Sequence, residues 1–394
     1  MATDGAYLLV AADDGSLPLR PGETVAGVLA QRRALELHSY YGAIAHLTFA
    51  TRFVPVSVAA AEAWRVWNRG GDVDALPAEQ RDALCALRAE VDVCVREVAR
   101  GGAREGAGEG VGGGSGSERA FVRLSTRSPK DAVALVPRLR EQLVAALRER
   151  FALLPPHAGG GAPGRNAQLC ALDGCMCDLM AVTDGAQAFE LIMHSERCVS
   201  DLRRMLEHRE SLPTWDLQLI VREHVRLPPS SEYRCFVRGG ELCAVSQYFA
   251  SSYFAPVAAG AAVTQARIEQ FFEQHCKGAL GLEDCILDLA LMPEPGAAEA
   301  VEAAGQAAAP LGGVWLIELN PYAPTTGACL FDWQVDAETL AHPPVEMRVV
   351  TEPGANLDAL LMPWQDVLTA ALAPVAATVR GMGGNERQSK CALM

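Results

Sequence analysis

Glu318 and Asn320 stand two residues apart at the end of a short apolar run, VWLIELNP (314–321). In an extended strand, residues i and i+2 share a face. A carboxylate and an amide oxygen therefore point the same way before Pro321 stops the strand. A second run, CILDLAL (285–291), carries one acid at its centre, Asp288. If the two runs pair as neighbouring strands, Asp288, Glu318 and Asn320 converge. Two carboxylates and an amide are hard oxygen ligands of the kind Mg²⁺ takes, and a Mg²⁺ held this way also suits nucleotide phosphates. The plainer alternative is a strand end whose acids face solvent.

Phosphates need cations, and AFVRLSTRSPKDA (120–132) gathers several. AFVRL reads as a strand. Ser128-Pro129-Lys130-Asp131 reads as a helix start, with Ser128 as N-cap, Pro129 at the first helical position and Asp131 three residues after the cap. Ala132, Val136, Leu139, Leu143 and Leu147 would then line one side of that helix. The turn holds Ser125, Thr126, Arg127 and Ser128 close to Arg123 and Lys130. Hydroxyls and cations at a helix N-terminus form an anion-binding arrangement; an ordinary capped helix with a solvated basic patch is the alternative. Further on, LQLIVREHV (217–225) reads as a buried strand ending in Arg222 and Glu223. EYRCFVRGGELCAVSQYF (232–249) reads as a hairpin turning at Gly239-Gly240. Its alternation puts Arg234, Phe236 and Arg238 on one face and Tyr233, Cys235 and Val237 on the other.

The elements that must position these groups are interrupted by connectors. LTFATRFVPVSV (47–58) reads as extended, with Pro55 disfavouring a central strand, and AAAEAWRVW (59–67) reads as helical. Leu84, Leu87, Val91, Val95 and Val98 recur at helical spacing between 79 and 99. Residues 1–40 carry no clear pattern. The Gly/Ser/Glu stretch at 100–118 buries too little apolar surface to offset its ordering entropy, and reads as a flexible linker. Its G-x-G spacings follow from repetition, and no strand precedes them to make a phosphate loop. A Gly/Pro loop occupies 155–164, and FELIMHSERCVSDLRRML (189–206) reads as extended and then helical. A helix holding Ile268, Phe271 and Phe272 precedes the Asp288 strand. The Ala/Gly/Pro/Glu-rich stretch 293–313 reads as an expanded loop joining the two acid-bearing strands, since long surface insertions cost little stability.

The 394 residues are half hydrophobic, with a formal charge of −14. That supports a sizeable core and argues against nucleic acid as the main ligand, because backbone-phosphate binding needs a positive face. Twelve cysteines occur without C-x-x-C pairs; Cys170, Cys175 and Cys177 cluster but lack a second ligand pair, so reduced, partly buried thiols are expected. With no signal-peptide pattern and no run long enough to span a bilayer, a reducing, cytoplasmic setting is expected.

The order of these pieces is similar to the ATP-grasp architecture. More specifically, the chain resembles the cell division cycle protein 123, or D123, family. The residues carrying that resemblance are FVRLSTRSPKDA (121–132), IVREHV (220–225), EYRCFVRGGELCAVSQY (232–248), ILDLAL (286–291) and VWLIELNPYAPTTGACLFDW (314–333), with TRFVPVS (51–57) upstream. The resemblance implies an α+β, ATP-grasp-like fold of two α/β subdomains with ATP and Mg²⁺ bound between them. The implied segments are an N-terminal region (1–99), the linker (100–118), a first subdomain (119–215), a second (216–334) containing the 293–313 insertion, and a C-terminal region (335–394). It places Asp288, Glu318 and Asn320 at the metal. Arg123 stands where the family has a basic, usually lysine, phosphate ligand; Arg222 follows the hinge strand, and Arg234 is the arginine of the R-C-F motif. With Ser125, Arg127 and Lys130 from the turn, these make the expected nucleotide-binding set. Arg keeps the charge at 123 but not the point-charge geometry of Lys.

The family's eukaryotic members are assembly factors for translation initiation factor 2 that engage its γ subunit, so the resemblance implies that partner. The alternative within the same fold is a ligase that joins a carboxylate to an amine through an acyl-phosphate. Nothing in the sequence names an acceptor substrate, which favours the assembly factor. The ending Cys391-Ala392-Leu393-Met394 has the C-a-a-X form, and Met at the last position favours a farnesyl group. One lipid chain without a polybasic patch gives only weak, reversible membrane contact.

Overall fold

The computed structural model describes residues 24–100, 119–154, 162–212, 214–281, 283–293 and 311–373. The expected linker from 101 onward, most of the 293–313 insertion and the C-a-a-X ending lie outside the described residues. Among those described, no helix is long and apolar enough to cross a membrane.

The strands are β1 (Thr51–Pro55), β2 (Ala120–Leu124), β3 (Ala181–Val182), β4 (Gln218–Glu223), β5 (Glu232–Arg238), β6 (Glu241–Gln247), β7 (Cys285–Pro293), β8 (Leu311–Asn320) and β9 (Glu346–Arg348). They form two sheets in an α+β arrangement, ordered β1-β4-β2-β3 and β8-β7-β5-β6-β9. The first sheet is antiparallel throughout, and the second departs from that only where β9 joins β6 in parallel. Pro55 sits on an edge strand, where a missing N–H costs no ladder bond. Sheet membership cuts across the segments expected from sequence. β1, from the N-terminal region, and β4, from the expected second subdomain, complete the sheet that β2 begins.

Each sheet has its own core. On the first, Ala120, Val122, Leu124, Leu219 and Val221 face helices, among them the helix Ala78–Ala99 through Leu87, Val91, Val95 and Val98. On the second, Tyr233, Cys235, Val237, Leu287 and Leu289 pack with Ile268, Phe271 and Phe272. Residues of opposite parity therefore look into the space between the sheets: Phe121, Arg123, Ile220 and Arg222 from one side, Arg234 and Asp288 from the other. The helix Leu37–Ile44 and the residues after it tie the two together. Tyr40 Oη accepts from Leu319 N–H at 2.9 Å, Leu316 N–H donates to Leu47 O at 2.9 Å, and Thr48 Oγ1 donates to Leu316 O at 2.6 Å.

Two local expectations are corrected. The helix expected from Ser128-Pro129 is two helices, Ala132–Leu135 and Pro137–Leu153. Pro137 explains the break: its ring excludes the preceding turn and pushes Val136 into extended backbone (φ −86°, ψ 116°). The apolar side survives, with Val136, Leu139, Leu143 and Leu147 all buried. Asp131 caps another helix instead, accepting from Ser195 Oγ at 2.6 Å and from Arg197 N–H at 3.1 Å at the start of Glu196–Glu207. FELIM is helical rather than extended, within Gly185–His194. Asp184 caps it by accepting from Gln187 N–H at 2.9 Å, and Gly185 lets it approach Asp92, where any Cβ would overlap backbone.

Asp173, on the helix Arg165–Asp178, is buried and accepts from Ser252 Oγ at 2.7 Å. Burial pushes its carboxyl up from 3.8 to about 7. A carboxyl raised on folding contributes stability that is present below its unfolded pKa and is lost as pH rises through the folded one. Asp173→Asn should therefore flatten the fall in melting temperature between pH ~4 and ~7 and raise it above pH 7. A wild-type slope in the variant would mean that Asp173 is ionised throughout.

Candidate functional site

Asp288 and Glu318 are direct cross-strand partners, and Asn320 lies one diagonal away, opposite Ile286. The register shifts between Asp288 and Leu289, so that Ile317 is an extra residue on β8. That bulge has three consequences. Leu316 stays in the second core, Glu318 is turned into the space between the sheets, and the Ile317 carbonyl is left to accept from Arg222 Nη1 at 2.8 Å. Re-aiming a side chain in this way is what bulges beside functional sites do. Asn320 Nδ2 donates to Asp288 Oδ2 at 2.9 Å. The three expected metal residues are thus brought together.

The arginines separate into two kinds. Arg234, opposite Asp288 on β5, grips both carboxylate oxygens, Nε on Oδ1 and Nη2 on Oδ2, each at 2.8 Å. Its Nη1 donates to Gly327 O at 2.7 Å, and both residues are buried, at 7% and 2% exposure. A guanidinium engaged on every side braces the acid; it has little left for phosphate. Arg123 instead reaches from the other sheet to Glu318. Burial alone would push the Glu318 carboxyl up, but Arg123, with Lys130 and Arg234 behind it, holds it down at about 2.

Between the sheets lies a cleft with a cavity of about 130 Å³. Arg123, Ser128, Lys130, Arg222, Asp288 and Glu318 line it. Lys130 Nζ donates to Tyr248 Oη at 2.6 Å, and Arg222 donates to Thr48 Oγ1 at 2.5 Å and lies over the Phe49 ring. Two expected residues are elsewhere. Ser125 is buried beside Glu36, away from the cleft, and Arg127 pairs with Asp201 at 3.1 Å. The 124–127 backbone closes on itself, with Leu124 N–H donating to Arg127 O and Arg127 N–H to Leu124 O, which turns these two side chains outward from the site.

Glu232 and Tyr248 line the cleft as well, and sequence reasoning passed over both. The signal was available: Glu232 precedes Arg234 by two on β5, and Tyr248 follows Ser246, the cross-strand partner of Arg234, by two. Burial pushes the Glu232 carboxyl up to about 7, Lys130 opposes it, and Asp288 and Glu318 add to it. The oxygen donors fit a hard divalent cation: two carboxylates and an amide, with a third carboxylate on the same face. No cluster of three His, Cys, Asp or Glu side chains with metal-site geometry occurs among the described residues.

Removing one member of a buried ion pair leaves the other uncompensated, at a cost of about 3–5 kcal/mol. Arg234→Ala should lower the unfolding free energy by about that amount, and Arg234→Met with Asp288→Leu should recover most of it. Denaturant melts of the two variants check this, and equal losses in both would show that the pair does not compensate itself.

The D123 family model matches residues 176–361. The chain is 24% identical over 203 residues to a translation initiation factor eIF2 assembly protein of Aspergillus niger, covering 50% of each chain. It is 26% identical over 122 residues to the Xenopus laevis protein of that name and 28% over 122 residues to that of Danio rerio, covering about three-tenths of each. The chain thus spans half or less of the length of these relatives. Its fold is similar to that of C-terminally truncated Cdc123 from Schizosaccharomyces pombe, with a TM-score of 0.50 over 82% of this chain and 97% of that one, at 15% identity. Arg222, Glu232, Arg234, Asp288, Glu318 and Asn320 all fall within the matched segment; Arg123 and Lys130 lie before it. The segment that carries these residues is thus similar to the D123 family.

Proposed function

We propose that this protein is an assembly factor for translation initiation factor 2, engaging the γ subunit, and that it binds ATP with Mg²⁺ in the cleft between its two sheets in an ATP-grasp-like manner. The observation that carries the ligand reading is the opposition of two surfaces: Asp288 and Glu318 on one sheet, with Asn320 hydrogen-bonded to Asp288, face Arg123 and Arg222 on the other, with Lys130 beside them. The partner reading rests on the family and on the names of the relatives. Those names favour assembly over ligation.

In this reading Glu318, Asn320 and the remaining lone pair of Asp288 Oδ1 hold the metal, while Arg234 keeps Asp288 in place. Mg²⁺, when bound, supplies positive charge that neutralises the phosphates and fixes their position. Arg123 and Lys130 receive the phosphate oxygens. Phe49, Phe121 and Met180 give the same cleft an apolar side for the base. A cavity of about 130 Å³ is smaller than the ~300 Å³ lower bound of small-molecule pockets. The sheets therefore part to admit a nucleotide, and a surface that depends on their separation is a means of making partner binding respond to ATP.

Asn320→Ala removes a metal ligand without stripping a charge from the buried pair. It should weaken Mg²⁺-dependent ATP binding at least about tenfold, roughly 1.4 kcal/mol, with little change in melting temperature. Calorimetric affinity equal to wild type would remove Asn320 from the metal site. Arg123→Ala should reduce ATP affinity more than adenosine affinity; equal losses would make that arginine structural. For the partner, affinity capture with the full chain should recover the γ subunit of the initiation factor from a eukaryotic lysate. Its absence from capture under ATP and Mg²⁺, with the fold intact, would overturn the assembly role.

A further inference from the structure

The two acid–arginine pairs of the cleft differ in what they could release. Asp288 and Arg234 are strand neighbours in one sheet, joined by two parallel hydrogen bonds, and Arg234's remaining terminal nitrogen is spent on Gly327 O. Nothing there can leave without breaking the sheet's own packing. Glu318 and Arg123 come from different sheets and are less buried, with side chains 20% and 11% exposed. Arg123 uses Nη1 on Glu318 Oε2 and Nε on the neighbouring Leu124 O. Its Nη2, and Oε1 of Glu318, make no hydrogen bond among the described residues. Both side chains line the cleft. A carboxylate neutralised by a guanidinium is a weak ligand for a cation, and that guanidinium is a weak ligand for an anion.

We propose that Arg123–Glu318 is an exchange pair, broken once and used twice. A divalent cation at Glu318 frees Arg123 for a polyphosphate, and a polyphosphate at Arg123 frees Glu318 for the cation. This rests on the nucleotide–metal reading of the cleft and adds a coupling to it: each ligand pays the separation cost for the other, so each tightens the other by the same factor. Reciprocity of that kind is required by linkage, and couplings typically run from roughly 5- to 150-fold. The pair also bridges the two sheets, alongside the Arg222–Ile317 contact.

Direct bonding between metal and phosphate couples the two ligands in any site, so the deciding observation is the sign of the single-ligand effects. The full chain is titrated with Mn²⁺ alone, followed by electron paramagnetic resonance, and with ATP in excess chelator, followed by calorimetry. Arg123→Met should bind Mn²⁺ alone several-fold more tightly than wild type and ATP more weakly. Glu318→Gln should do the reverse, binding metal-free ATP more tightly and Mn²⁺ more weakly. Glu232→Gln removes a carboxylate from the same cleft without freeing Arg123, so its gain in metal-free ATP affinity should be smaller than that of Glu318→Gln. Melting curves establish that each variant is folded, and either member of the pair tests the idea if the other fails to fold. Losses of both ligands in both variants, or an equal gain in Glu232→Gln, would overturn the exchange while leaving the site. Failure of wild type to bind Mn²⁺ and ATP even together would overturn the reading beneath it as well.

Discussion

Charge buried between two sheets must be neutralised by charge, and this requirement organises the cleft. Carboxylates and guanidinium groups taken out of water are tolerated only when paired and hydrogen-bonded. Here Asp288 is answered within its own sheet by Arg234, and Glu318 from across the gap by Arg123. Among the described residues no acid pairs with Arg222; it is held by the Ile317 carbonyl, Thr48 and the face of Phe49, and burial lowers its pKa to about 10. The polar lining is therefore a set of mutually dependent contacts in which a change at one member exposes another.

Those contacts exist because strand alternation and one irregularity agree. On β2 and β4 every second side chain enters the first core, which sends Arg123 and Arg222 the other way. On β5 and β7 the same rule sends Arg234 and Asp288 to meet them. β8 alone would put Leu316 and Glu318 on one face. The extra residue at Ile317 separates them, and the carbonyl exposed by that bulge becomes the acceptor that fixes Arg222. A single inserted position thus aims an acid at the cleft and supplies a brace for the opposite wall.

The segment that follows β8 is part of the same support. Gly327 O holds Arg234, Leu330 N–H donates to Ser246 Oγ at 3.1 Å, and Trp333 Nε1 donates to Thr326 O at 2.7 Å. Phe331 and Trp333 pack edge-on against Phe236 on the face that Arg234 shares. This stretch carries no helix or strand before the short helix Ala337–Ala341. In the fold it is the wall against which the buried ion pair rests.

The sequence by itself determined the local periodicities. The acid-bearing strands, the hairpin with its face assignment, the edge position of Pro55 and the helix Ala78–Ala99 were all legible, because each follows from a spacing of two or of 3.6 within one segment. So was the meeting of Asp288, Glu318 and Asn320, once two strands were taken as neighbours. Reading failed locally where a second signal was overlooked: Pro137 splits a helix whose apolar side is otherwise continuous, and Asp131 is spent on a distant helix start. Only the tertiary structure decided the rest. That β1 and β4 join β2, that Arg127 turns to Asp201, and that Arg234 braces Asp288 while Arg123 spans the gap all depend on contacts between residues far apart in the chain. Composition and spacing state which charges are present; which of them neutralise one another is set by burial, and burial is a property of the packed fold.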